Sequence, residues 1–143
     1  MSKITKVIAR QVYDSRGNPT IEAEVFANNM KARAICPSGA STGSHEAYEK
    51  RDTSNKKYLG KSVFKPVQLI NKIISKKLKN QNIHNQEKID YILINLDGTK
   101  QKKKFGANAL LAVSMAVKKL SARIKKTPLY KTFLIKKNFK LPY

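Results

Sequence analysis

Apolar and polar positions first alternate along this chain and later switch to a longer period. Residues 4–13 carry Ile4, Val7, Ile8, Val12 and Tyr13 in a strand-like run. Residues 14–19, Asp-Ser-Arg-Gly-Asn-Pro, are dense in turn formers and should reverse the chain. Residues 20–27 alternate again and predict a second strand. Asn28 and Asn29 tolerate positive φ and predict a tight turn. A third strand over 30–36 sets Ala32, Ala34 and Cys36 on one face. Three successive strands with short links imply an antiparallel meander.

Beyond residue 43 the period is helical. Thr42 or Ser44 is placed to cap a short helix through Arg51. Residues 52–64 read as irregular. Pro66 suits a first helical turn, and Val67, Ile70, Ile73, Ile74 and Leu78 then form a stripe opposite lysines. After a break at 80–85, Ile89, Ile92, Leu93 and Leu96 stripe a helix over 86–96, with Glu87 near its positive end. The helix predicted over about 107–125 starts apolar on nearly every side, as a central buried helix would. Thr127-Pro128 stops it and a short helix over 129–134 follows. Strands first and helices afterwards give an α+β fold: a three-stranded antiparallel meander followed by a helical bundle.

Composition narrows the partners. The chain has 143 residues and is 41% hydrophobic, enough for one core. It has no apolar run of about 18 residues, so a membrane span is not expected. The first residues lack the apolar segment of an export signal, and Cys36 is the sole cysteine, so a cytoplasmic location is expected. The net charge of +21 raises a nucleic-acid partner. Yet only Arg10, Arg16, Arg33, Arg51 and Arg123 are arginine among thirty basic residues, and arginine is the residue of bidentate phosphate and base contacts. The lysines also spread along the whole chain. A coding bias toward lysine, asparagine and isoleucine therefore accounts for the charge better. Lysines gathered on one face would support binding, and lysines on every face would support the bias.

The candidate chemistry centres on Pro37-Ser38-Gly39-Ala40-Ser41-Thr42-Gly43-Ser44-His45-Glu46-Ala47. It is small, hydroxyl-rich and punctuated by glycine, a composition that brings hydroxyls or backbone close to a ligand. It is not a Walker loop, because Gly39 to Gly43 is one residue too short and no Lys-Ser/Thr follows. The second histidine, His84, is expected to be exposed. The acids Asp14, Glu22, Glu24, Glu46, Glu49, Asp52, Glu87, Asp90 and Asp97 form no obvious cluster in sequence.

Four stretches together resemble enolase (phosphopyruvate hydratase). They are residues 10–20 (Arg-Gln-Val-Tyr-Asp-Ser-Arg-Gly-Asn-Pro-Thr), the 37–47 stretch, Tyr58-Leu59-Gly60-Lys61, and Leu96-Asp97-Gly98-Thr99 with Phe105-Gly106-Ala107-Asn108-Ala109. They occur in the family's order and spacing from about residue 4 to 134. The resemblance implies an N-terminal domain over 1–134, with 135–143 approaching a catalytic (β/α)₈ barrel that is missing here. The family reaction is the Mg²⁺-dependent dehydration of 2-phosphoglycerate in glycolysis, a lyase reaction. Ser41 matches the serine that completes the second Mg²⁺. Ser38, Gly39, Ala40, Thr42, Gly43 and His45 match the rest of the active-site lid. His45 is read as a loop hydrogen-bonding residue. Arg10 and Glu22 match dimer-interface positions whose partners are barrel charges of the other subunit. Gly106 and Asn108 match as structural residues. No catalytic acid, base or metal carboxylate of the family maps onto this chain. It is therefore expected to be inactive alone; the resemblance implies a homodimer and 2-phosphoglycerate as family-level partners, and activity appearing only on addition of a separate barrel chain would mean a split enzyme. The alternatives are a decayed remnant and a basic nucleic-acid-binding module. Gln101, where the family usually has Asn, and Cys36, where it has a small aliphatic residue, depart from the pattern.

Overall fold

The computed structural model describes residues 2–39, 43, 45–54 and 56–133. Its meander consists of β1 (Ile4–Tyr13), β2 (Pro19–Ala27) and β3 (Met30–Cys36), antiparallel in the order β1-β2-β3. The turns that join them use residues that accept positive φ: Gly17 in the first, Asn28 and Asn29 in the second. Asp14 Oδ1 accepts the N–H groups of Arg16 and Asn18 at 2.9 and 2.8 Å, which fixes the first turn. Those bonds, the Asn18 one foremost, hold the Asp14 carboxyl below its ordinary value.

The two faces of the sheet differ. Val7, Ala9, Ile21, Ala23, Val25, Ala32 and Ala34 are buried on the inner face. Against it lies α4 (Ala107–Ile124), which buries Ala109, Ala112, Val113, Ala116, Val117 and Leu120. Alanines on both surfaces let helix and sheet come close, and the branched residues fill the spaces between. This is the all-round apolar helix that the pattern predicts.

A second layer contains α1 (Phe64–Leu69), a wide turn at Ile70–Ile74 and α2 (Ser75–Leu78), which run on as one helix, and then α3 (Gln86–Asp97). The wide turn carries i→i+5 geometry and rotates the apolar stripe. Ile70, Ile74 and Leu78 are buried as expected, but Ile73 is 37% exposed. The same turn presents Asn71 to the edge of β1. There its amide accepts from Ala9 N at 2.7 Å and donates to Ala9 O at 3.0 Å. An asparagine thus substitutes for a neighbouring strand at this edge.

The helix expected through Arg51 does not form. Residues 47–52 have no regular structure, and Thr42 and Ser44 lie outside the described residues. Their backbone bonds go elsewhere: Tyr48 N donates to Gln101 O at 2.7 Å, and Tyr48 O accepts from Ala107 N at 2.8 Å. A helical ladder would compete for the same groups. The short helix near the end is a 3-10 turn at Leu129–Phe133.

Candidate functional site

The stretch from Pro37 to Arg51 is pinned at both ends by side chains from three parts of the fold. At its start Arg16, from the first turn, donates through Nη2 to Ser38 O at 3.1 Å and to Gly39 O at 3.4 Å. Ser38 Oγ donates to Glu49 Oε1 at 2.5 Å. Arg51 Nη2 donates to Ser38 Oγ at 2.6 Å and lies 2.6 Å from Glu49 Oε1. Its Nη1 donates to Pro19 O at 3.0 Å and to Lys61 O. One guanidinium therefore joins the two ends of the loop to the start of β2 and to residue 61.

At the far end Asn108, in the first turn of α4, reads the Lys50 backbone with both amide atoms. Oδ1 accepts from Lys50 N and Nδ2 donates to Lys50 O, each at 3.1 Å. Gly106 lets the chains approach there. A Cβ at this position would lie 2.4 Å from Asn108 Oδ1 and 2.5 Å from Lys50 Cβ, and its φ is +93°. Glycine is needed at that position for space as well as for conformation.

Behind this frame two buried carboxylates organise the connecting loops. Asp52 accepts from Ser62 Oγ at 2.9 Å and from Phe64 N at 2.8 Å, at the start of α1. Asp97 accepts from Phe105 N at 2.7 Å, from Thr99 N at 3.1 Å and from Thr99 Oγ1. Burial alone would raise the Asp97 carboxyl. The hydrogen bonds from Thr99 and Phe105 outweigh burial and hold it below its ordinary value. These bonds set the 98–106 loop, whose residue 101 supports Tyr48.

Of the residues assigned to the lid, Ser38 and Gly39 sit in the pinned neck, and Gly43 accepts from Glu46 N through its carbonyl at 3.2 Å. His45 is exposed, beside Thr99 and Gln101 at the mouth of a shallow depression. Ala40, Ser41 and Thr42 lie outside the described residues. Among the described residues no three His, Cys, Asp or Glu side chains gather, so they do not make a magnesium site by themselves. Cys36 is half-buried, and burial first, then the Glu49 charge, push its thiol upward, which keeps it protonated.

Arg10 and Glu22 stand opposite each other on the open face of the sheet. Within this chain each also has ion-pair partners. Arg10 Nη1 bonds Glu22 Oε1 at 3.0 Å and Nη2 bonds Glu24 Oε2 at 2.8 Å. Lys31 also reaches Glu24 at 3.1 Å, and Arg33 reaches Glu22 at 3.7 Å. The hydrogen bond from Lys31 foremost, then that from Arg10, lowers the Glu24 carboxyl. The signal was in the sequence: pairing Tyr13 with Pro19 across the first turn sets Arg10 opposite Glu22.

His84 is likewise more engaged than expected. It is partly buried, with Nδ1 2.9 Å from Ser121 Oγ on α4. Burial first, and then the charge of Lys125, lower its pKa. Exposed lysines occur on every layer: Lys6 and Lys31 on the sheet, Lys72 and Lys76 on the second layer, Lys100 and Lys103 on the 98–106 loop, Lys119 and Lys125 at the end of α4. That is the scattered outcome and not a single basic face. No helix among the described residues is long and apolar enough to cross a membrane.

The family model for the enolase N-terminal domain matches residues 4–133. The whole chain is 71% identical, over 143 residues, to an enolase of Pelagibacter ubique (strain HTCC1062). It spans about a third of that relative's length, 34%.

Proposed function

From the premise that this chain belongs to the family of enolase N-terminal domains, we propose that it supplies the cover of an enolase active site. The family reaction it would serve is the dehydration of 2-phosphoglycerate to phosphoenolpyruvate in the cytoplasm. The observation that carries this reading is the framing of residues 37–51. Arg16, Arg51 and Glu49 hold one end, and Asn108 holds the other. A short glycine-bearing stretch fixed at both ends can present one hydroxyl reproducibly to a site on another domain.

In this reading Ser41 is the hydroxyl offered to magnesium. Enolase-superfamily sites use one or two Mg²⁺ ions to stabilise an enediolate. This chain's own residues orient the loop and exclude water from the covered site, which strengthens electrostatic interactions beneath it. The proton-transferring groups and the carboxylates that hold the metal belong to the barrel domain. The 143-residue chain alone is therefore inactive. The charged face around Arg10 and Glu22 is the dimer contact. Arg10, with its side chain 44% exposed, keeps donor capacity for a partner while it neutralises Glu22 and Glu24 beneath it.

The test is complementation. The chain is mixed with a separately produced polypeptide covering the remaining two-thirds of the Pelagibacter relative, with 2-phosphoglycerate and Mg²⁺. Formation of phosphoenolpyruvate that falls at least tenfold with Ser41→Ala supports the reading. Equal activity of the Ser41→Ala mixture rejects the role of Ser41. No activity from any mixture favours a decayed remnant.

A further inference from the structure

We infer that Arg51 is a positioning residue of the covering loop, a clasp that joins Ser38 to Glu49 at the loop's neck. The inference deepens the reading of that loop as a cover and rests on it. The clasp itself is a claim about this chain alone.

Its geometry is specific to arginine. Arg51 Nη2 meets Ser38 Oγ and Glu49 Oε1, each at 2.6 Å, while Ser38 Oγ donates to the same Glu49 oxygen at 2.5 Å. Ser38 and Glu49 are 11 positions apart, so this triangle closes the loop at its neck. The other nitrogen, Nη1, is anchored to Pro19 O and Lys61 O. The triangle is therefore tied to the start of β2 and not only to itself. The Arg51 side chain is 17% exposed, so the charge acts in a partly dehydrated setting where such bonds are strong. Lysine has one nitrogen and no fork. It could hold Glu49 or the two carbonyls, but not both.

The rest of the chain supports the assignment. In a polypeptide whose basic residues are overwhelmingly lysine, each of the five arginines makes a directed contact. Arg10 spans Glu22 and Glu24, Arg16 holds the Ser38 and Gly39 carbonyls, Arg33 meets Glu22, and Arg123 donates to Lys31 O. Arg10 and Arg51 are the two that engage partners through both terminal nitrogens. Two of the five, Arg16 and Arg51, converge on the neck of one loop.

The experiment is amide hydrogen exchange by NMR on the 143-residue chain, comparing wild type with Arg51→Lys and with Ser38→Ala. Ser38→Ala removes only a hydroxyl and keeps the chain folded if Arg51→Lys does not. Exchange of the slowest amides within 38–50 is expected to rise about tenfold or more in both variants, the loss of one charge-assisted bond, while the amides of α4 keep their wild-type rates. Unchanged loop exchange, or an equal rise in loop and α4, overturns the clasp, because the latter is plain loss of stability. In the complemented mixture Arg51→Lys should lower kcat more than it raises KM. An intact clasp by exchange with no effect on turnover would reject the cover reading and leave the clasp standing.

Discussion

The contact between α4 and the sheet and the neck of the 37–51 loop are two ways of fixing a chain. The first is a wide apolar surface in which Val113, Ala116, Val117 and Leu120 each lie fully buried. No one residue there dictates the geometry, and the energy is spread over many contacts. The neck is the reverse. It depends on a few directed bonds from Arg16, Arg51 and Asn108. Dispersed burial makes a scaffold stable as a unit. Directed bonds place one short segment accurately and can be lost without unfolding the rest. The proposed cover role calls for that combination, a stable body and one short segment placed by a few bonds.

The contrast can be broken at each end. Leu120→Ala should have the largest global effect, about 3 kcal/mol or more, as a cavity against the sheet. Urea unfolding would show it as a lower midpoint at every probe. Gly106→Ala should follow at about 2 kcal/mol, because the new methyl meets Asn108 and Lys50 and φ there is +93°. Its unfolding is expected to be preceded by faster exchange at 47–51. Asn108→Ala should cost about 1–2 kcal/mol through the two lost bonds to Lys50, with little change in the exchange of the β2 amides.

Acid sharpens the comparison, since only the directed bonds titrate. Asp97 has its carboxyl lowered in the folded chain, so its contribution is complete above the ordinary carboxylate value, about 3.9, and is lost as pH falls through the lower folded value. Asp97→Asn should flatten that acid limb in unfolding curves taken at stepped pH. The smallest effect is expected at His84. Its lowered value means that the unfolded chain takes up a proton first. Its contribution is present above the ordinary imidazole value, about 6.5, and is lost as pH falls below it. Replacing His84 with Asn should remove this shallow slope without moving the Asp97 limb.

The scaffold was legible because alternation and helical period record burial directly. Both turns, the three strands and the all-apolar start of α4 follow from which positions must avoid water. The loop frame was not legible in that way. Arg51 looks like an ordinary polar residue, and Asn108 was marked as structural by the family resemblance alone; their partners, Ser38 and the Lys50 backbone, become neighbours only through the fold. The expected helix through Arg51 failed for the same reason, since the Tyr48 backbone pairs with residues 101 and 107. Ile73 moved outward because a wide turn, which no local residue announces, shifted the stripe. The Arg10–Glu22 pair was within reach of sequence reasoning once the strand register was counted from the turn.

One measurement bears most directly on the idea that this chain covers a site and does not contain it. Phosphoenolpyruvate formation is followed by absorbance, with the purified 143-residue chain, 2-phosphoglycerate and excess Mg²⁺, first alone and then with the remaining two-thirds of the Pelagibacter relative. The account predicts no conversion alone and conversion on mixing. Conversion by the chain alone would contradict it.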